Sequence, residues 1–253
     1  MNGKSRIALR DTTWLMVCGH EPWLEMATSH GHAGGSMEVF IKWGHNMQRD
    51  GLARKEGMAA FVVSPAGEKE DLVISEGGPD HYGLRFSTPI DGFYHVVVRN
   101  MGDYVLDRDY QYHEGTRREY PDAAHAIRYV QYAQLFVPVG HDLEGKPPQG
   151  GMELEIVPEI WRQWQAGDEI ALQVLLRGRL LDNVVVDVVC DGPAGRREWK
   201  EEAGGDGRIR LRANEPGRYL VVARRDLHER EEGIYDLLSL TATLFFLVTK
   251  RRH

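Results

Sequence analysis

Histidine is the residue type with the clearest chemical potential in this chain. Of 11 histidines in 253 residues, four lie between His20 and His45, and four follow a glycine: Gly19-His20, Gly31-His32, Gly44-His45 and Gly140-His141. At this composition chance gives about one Gly-His pair. Imidazole is the commonest protein ligand for borderline divalent metals, and a glycine beside it lets the backbone turn so that the ring can aim inward. His30-Gly31-His32 sets two rings on one side of an extended chain, a two-point grip on one ion. His20 leads into Glu21-Pro22-Trp23, and His45 follows Lys42-Trp43-Gly44. Taken singly, each is more often a loop histidine than a ligand, so the chemistry requires several to converge on one point.

A second concentration of polar aromatic residues comes later: Tyr110, Tyr112, His113 and Glu114, then Tyr120, His125, Tyr129 and Tyr132. Rings at this density either wall a pocket or pack a domain seam with their hydroxyls at its wet edge. Signatures of common enzymes are missing: the chain has no G-x-S-x-G elbow, Walker loop, dinucleotide-binding glycine motif or H-E-x-x-H pair. A metal-dependent hydrolase would need an open coordination position and a base such as Glu21 or Glu114, and no spacing here resembles a catalytic zinc motif. The expectation is a protein that is not an enzyme. Its 31 basic and 38 acidic residues give a net charge of -7, against a nucleic-acid partner. No apolar run reaches the length of a transmembrane segment. Cys18 and Cys190 have neither disulfide-framework nor zinc-thiolate spacing.

The elements that must position these residues are short strands. Alternating or β-branched segments fall at Met37–Trp43, Ala60–Ser64, Tyr94–Arg99, Ala171–Leu176, Val184–Cys190, Arg208–Arg212, Tyr219–Ala223 and Thr241–Val248, separated by Gly- and Pro-containing turns. A helix is expected near Asp122 to Gln134, where Ala123, Ala126, Ile127, Val130 and Ala133 form an apolar stripe, with an extended second half as the alternative. The polar segment 140–151, rich in Gly and Pro, reads as an interdomain connection. The expected fold class is therefore all-β, as two linked β-sandwich domains with one short helix before the linker: residues 20–145 holding the metal site and residues 150–253 forming an immunoglobulin-like sandwich. Residues 1–19 form a leader or N-terminal extension, in which Lys4, Arg6 and Arg10 precede the short apolar run Trp14 to Val17.

Several ordered segments resemble a known family. His20-Glu21-Pro22-Trp23-Leu24-Glu25 is similar to its His-Glu-Phe-Trp-Leu start, and Phe40-Ile41-Lys42-Trp43-Gly44-His45 to its following strand. Tyr132-Ala133-Gln134-Leu135-Phe136-Val137-Pro138-Val139-Gly140, Leu154-Glu155-Ile156-Val157-Pro158, Gly167-Asp168, Val174-Leu175-Leu176-Arg177-Gly178-Arg179-Leu180-Leu181 and Gly205-Asp206-Gly207-Arg208 then resemble later segments in the same order. The family is the domain-of-unknown-function 4198 family, periplasmic proteins that accompany nickel and cobalt uptake systems. The resemblance implies two β-sandwich domains, a periplasmic or cell-envelope location, and binding of nickel or cobalt, with zinc also suited to the donors, for delivery to a membrane metal transporter. Without a functional leader the location would be cytoplasmic. In such proteins the first histidine often becomes the mature N-terminus and offers both its amine and its imidazole. His20 and His45 sit in the matched motifs and rank first as ligands; His30, His32, His113 and His125 are the further donors. The alternative is a non-catalytic envelope module that binds a carbohydrate or protein through Trp161, Trp164 and the Tyr110–Tyr132 group.

Overall fold

The computed structural model describes residues 11–251. Lys4, Arg6 and Arg10 of the leader-like start lie outside the described residues. All eight segments expected as strands are strands, and the architecture is all-β. The largest sheet has nine strands among the described residues. Its order is Gly195–Glu202, Val185–Gly192, Gly217–Leu227, Leu237–Val248, His125–Val139, Gly92–Leu106, Met58–Val63 and Lys69–Leu72, with Tyr112–Glu114 paired to Gly92–Leu106. It takes strands from both sides of the 140–151 connection. They join through the parallel pairing of His125–Val139 with Leu237–Val248, from Ile127 opposite Leu237 to Leu135 opposite Phe245.

Side-chain alternation gives each face of this sheet its own core. Val97, Val130, Tyr132, Phe136, Val188, Val221 and Leu244 point one way, into a core shared with Leu154, Ile156, Trp161, Trp164, Ile170 and Leu172. Val96, Val98, Ala133, Leu135, Val137, Val189, Leu220 and Phe245 point the other way, onto Trp23, Leu24, Val39, Ile41 and Leu84. The first face is covered by a four-stranded sheet around Leu154–Pro158 and Glu169–Leu176. The second is covered by a five-stranded sheet built on Glu21–Met26, Gly35–His45 and His81–Thr88. Two sandwiches are thus built on opposite faces of one shared sheet.

The expected helix at 122–134 is corrected. The segment enters a 15-residue strand, His125–Val139, paired along its whole length with Gly92–Leu106. Its apolar stripe has a simple cause: nearly every residue from Ala126 to Val139 is buried, because both faces of the strand are covered. A doubly covered strand reads as an unbroken apolar run, and such a run contains helix-spaced residues by accident. Residues 11–19 are part of the fold. Thr13–Cys18 form a 3-10 helix, Thr12 N–H donates to Leu52 O at 2.9 Å, and Met16 is buried against a cluster that includes Trp43, Tyr104, Ile127 and Tyr129.

Candidate metal centre

The N-terminal sandwich carries two separate histidine clusters. The first contains the two residues that rank first from sequence. His20 lies just before strand Glu21–Met26 and His45 ends strand Gly35–His45, and pairing of these strands places Glu21 opposite Gly44. Their rings stack with centroids 5.8 Å apart, and His20 also approaches Trp43 at 6.2 Å. Their nitrogens, however, face protein. His45 Nδ1 donates to Gly19 O at 3.0 Å, and its Nε2 lies 3.1 Å from the Asn46 side-chain amide, which also donates to Glu198 at 2.7 Å. His20 Nε2 faces Asp50 at 3.3 Å, while its Nδ1 is buried without a partner among the described residues. The main-chain nitrogen of His20 is directed to Leu15 O at 3.3 Å, and its carbonyl accepts from Gln131 Nε2 at 2.8 Å.

Beneath this pair lies Glu21, whose side chain is fully buried. It accepts from Asn46 N–H at 2.8 Å and from Arg224 at 2.8 Å, and Arg224 also bonds Asp187 and Gly19 O. The Glu21 carboxylate holds the His45 imidazole above its ordinary value, outweighing the opposing effect of burial. Both His45 ring nitrogens are engaged by protein groups, Nδ1 by Gly19 O and Nε2 by the Asn46 amide, which leaves neither free for an ion. The cluster is a charge network joining strand Glu21–Met26 to strand Gly217–Leu227.

The second cluster consists of His30, His32 and His141. One nitrogen from each ring lies within 4.8 Å of the others, and among the described residues no other group of three potential metal ligands is so close. Ring centroids stand 4.9, 5.1 and 5.2 Å apart. His32 and His141 are exposed and His30 is half-buried. Ser29 Oγ lies 3.2 Å from His30 Nδ1; no hydrogen bond engages the rings of His32 or His141 among the described residues. The Ser29 contact leaves the Nε2 edge of His30 available.

Local backbone rules explain this convergence. Gly31 N–H donates to Pro138 O at 2.9 Å and Gly140 N–H donates to Gly31 O at 3.0 Å, a one-residue bridge that lays 30–32 alongside the end of strand His125–Val139. In an extended chain the residues flanking an inward position point outward together. Gly31 is that inward position, since a Cβ there would lie 2.8 Å from Met37 Sδ and 3.3 Å from Val139 Cγ2. Gly140, at φ +105, then turns the chain so that His141 joins the other two rings.

The remaining predicted donors stay apart from both clusters. His113 Nε2 bonds Asp107 at 2.8 Å, with its ring stacked on Tyr120, and His125 lies beside Tyr110 at 5.9 Å. Trp161 and Trp164 are 7% and 2% exposed, in core contact with Phe93 and Phe246 respectively, so neither offers a binding surface. Tyr129 and Tyr132 are buried too, leaving Tyr110 and Tyr120 as the exposed tyrosines of that group. His141 is not among the ligands ranked from sequence. Its signal is the Gly140-His141 pair itself, at a place that reads as linker.

Chemically, three imidazoles and no thiolate suit a borderline divalent ion such as Ni²⁺, Co²⁺ or Zn²⁺. A tetrahedral ion with bonds of about 2.0–2.1 Å needs ligand nitrogens about 3.3 Å apart, so ring rotations would draw the three together on binding.

No functionally curated protein matches the chain. Among solved structures it aligns with the Escherichia coli adhesin FdeC at 14% identity, covering 87% of this chain and 63% of that one, with a TM-score of 0.24. A DUF4785 family protein from Legionella pneumophila aligns at 8% identity over 79% of this chain and 51% of that one, TM-score 0.29. A two-domain fibronectin type III segment of chicken tenascin aligns at 11% identity over 87% and 97%, TM-score 0.24. The chain spans about half to two thirds of the first two, and none of the three carries a functional inference. The family model described as "Domain of unknown function (DUF4198)" matches residues 17–226, most of the sequence, and the chain belongs to that family.

Proposed function

We propose that this protein captures a divalent transition-metal ion, of the nickel, cobalt or zinc type, through the imidazoles of His30, His32 and His141. The observation that carries the reading is the approach of three imidazole nitrogens to within 4.8 Å of one another on an accessible surface. Three imidazoles at the surface leave room for a further, exchangeable ligand through which the ion can pass to an acceptor. Delivery to a membrane transporter from the cell envelope, implied by the sequence resemblance, fits an exchangeable surface site. In this reading the protein carries the ion and catalyses no reaction.

The test is isothermal titration of chelator-stripped protein with Ni²⁺, Co²⁺ and Zn²⁺. One ion per chain is expected, with affinity at least about 100-fold weaker in His141→Ala and lost in the His30→Ala/His32→Ala/His141→Ala variant. Equal binding by wild type and the triple variant, or no binding by either, overturns the reading.

A further inference from the structure

Three chain segments meet at the histidine cluster, and two of them carry the imidazoles. The third is the turn from Thr88 to Gly92, between strands His81–Thr88 and Gly92–Leu106. It is tied to the first histidine segment, because Thr88 Oγ1 donates to His32 O at 3.0 Å and Gly34 N–H donates to Thr88 O at 2.8 Å. From beneath, the buried Tyr94 hydroxyl donates to Ile90 O at 3.0 Å and lies 3.3 Å from Ile90 N, which pins the turn. Asp91 is the next residue. Its carboxyl packs against the backbone of Gly140, where a Cβ would come within 3.0 Å of Asp91 Cγ and 3.1 Å of Oδ1. Thus Asp91 stands beside the residue that precedes His141, on a turn hydrogen-bonded to His32.

The exposed Asp91 carboxylate has no ion-pair or hydrogen-bond partner among the described residues; exposed Asp71 and Asp122 share that trait, and what sets Asp91 apart is its place beside Gly140. We infer that Asp91 is the fourth protein ligand of the ion held by His30, His32 and His141. This deepens the metal-capture reading and rests on it. Three neutral imidazoles leave a bound dication with its full charge, and one carboxylate halves it while supplying an oxygen that Ni²⁺, Co²⁺ and Zn²⁺ all accept. The cluster within 4.8 Å consists of the imidazoles alone, so the carboxylate turns away from Gly140 to ligate. The resulting set of three imidazoles and one carboxylate is held by the protein yet releasable, because the carboxylate arm has no other bond to keep it in place.

The experiment compares wild type, Asp91→Asn and Asp91→Ala by Co²⁺ titration, visible absorption of the Co²⁺ form and metal-free thermal melting. Visible absorption is intense for four-coordinate Co²⁺ and weak for six-coordinate Co²⁺. The expected result is Co²⁺ binding about 10–100-fold weaker in both variants, with a changed visible spectrum and an unchanged metal-free melting temperature. Wild-type affinity and spectrum retained in both variants would overturn the assignment while leaving the three-histidine site standing. Weaker binding with an unaltered spectrum would overturn it too, since the carboxylate would then act by charge alone. Wild type that binds no Co²⁺ would remove both this assignment and the reading beneath it.

Discussion

The two histidine clusters contain similar residues and differ in what their nitrogens face. At His20 and His45 the rings meet carbonyl, carboxylate and amide partners, and a buried carboxylate pushes His45 toward its protonated form. At His30, His32 and His141 the rings meet mainly one another. Proximity of imidazoles is common to both. A site for a cation also requires several ring nitrogens close together and free of protein partners, which the second cluster supplies. The first cluster is better understood as a clamp, in which Glu21 and Arg224 connect strands of different sheets.

The sharpest break of this contrast is at the clamp. Arg224→Ala would leave Glu21 buried without its cationic partner, and about 3 kcal/mol of stability should be lost, read by urea unfolding. A loss below about 0.5 kcal/mol would show that the network around His45 is not a structural clamp. Metal affinity at the second cluster should be unchanged in this variant.

His95 sharpens the contrast from a third environment. It is fully buried, neither ring nitrogen has a hydrogen-bond partner among the described residues, and burial pushes its imidazole down to about 3. The folded protein therefore keeps His95 neutral while the unfolded chain binds a proton below about pH 6.5. Its contribution is complete above that pH and is lost progressively as pH falls toward 3. Glu155, 3.9 Å away, opposes this, because burial raises its carboxyl and the folded state takes up that proton first. His45 has the other sign: its raised value favours the folded state at low pH, and that contribution fades as pH rises through the folded value. Stability should fall by roughly 2 kcal/mol between about pH 6.5 and 4.5, and His95→Leu should flatten that slope when measured by denaturant titration. An unchanged slope would remove His95 as its origin.

The smallest expected effect is the most discriminating between the clusters. His20→Ala/His45→Ala should change metal affinity by less than about threefold, or roughly 0.7 kcal/mol, in calorimetry. A loss as large as that of His141→Ala would move the site to the motif that opens the family resemblance and make the second cluster incidental surface.

Much of the strand content is legible because period-two alternation and turn chemistry are local properties. That regularity is absent from the strand His125–Val139, where both faces are covered and alternation between apolar and polar residues vanishes. The same limit applies to Trp161 and Trp164: residue type marks them as adhesive surfaces, and the sheet above them makes them core. Asp91 is an ordinary turn residue until its neighbours from other segments are known, and His141 stands out in the sequence only as one more Gly-His pair in a segment that reads as linker.

The sequence by itself determined the residue types and their local aim. It set glycines beside histidines, strands between turns, and two rings on one side of Gly31. Only the tertiary structure decided which histidines meet. His30 and His141 are far apart in the chain, and their approach depends on a bridge between Gly31 and Val139 at the end of a strand buried between two layers. Local propensity acts over a few residues, whereas this contact is fixed by how two sheets pack, and ligand chemistry follows from that packing.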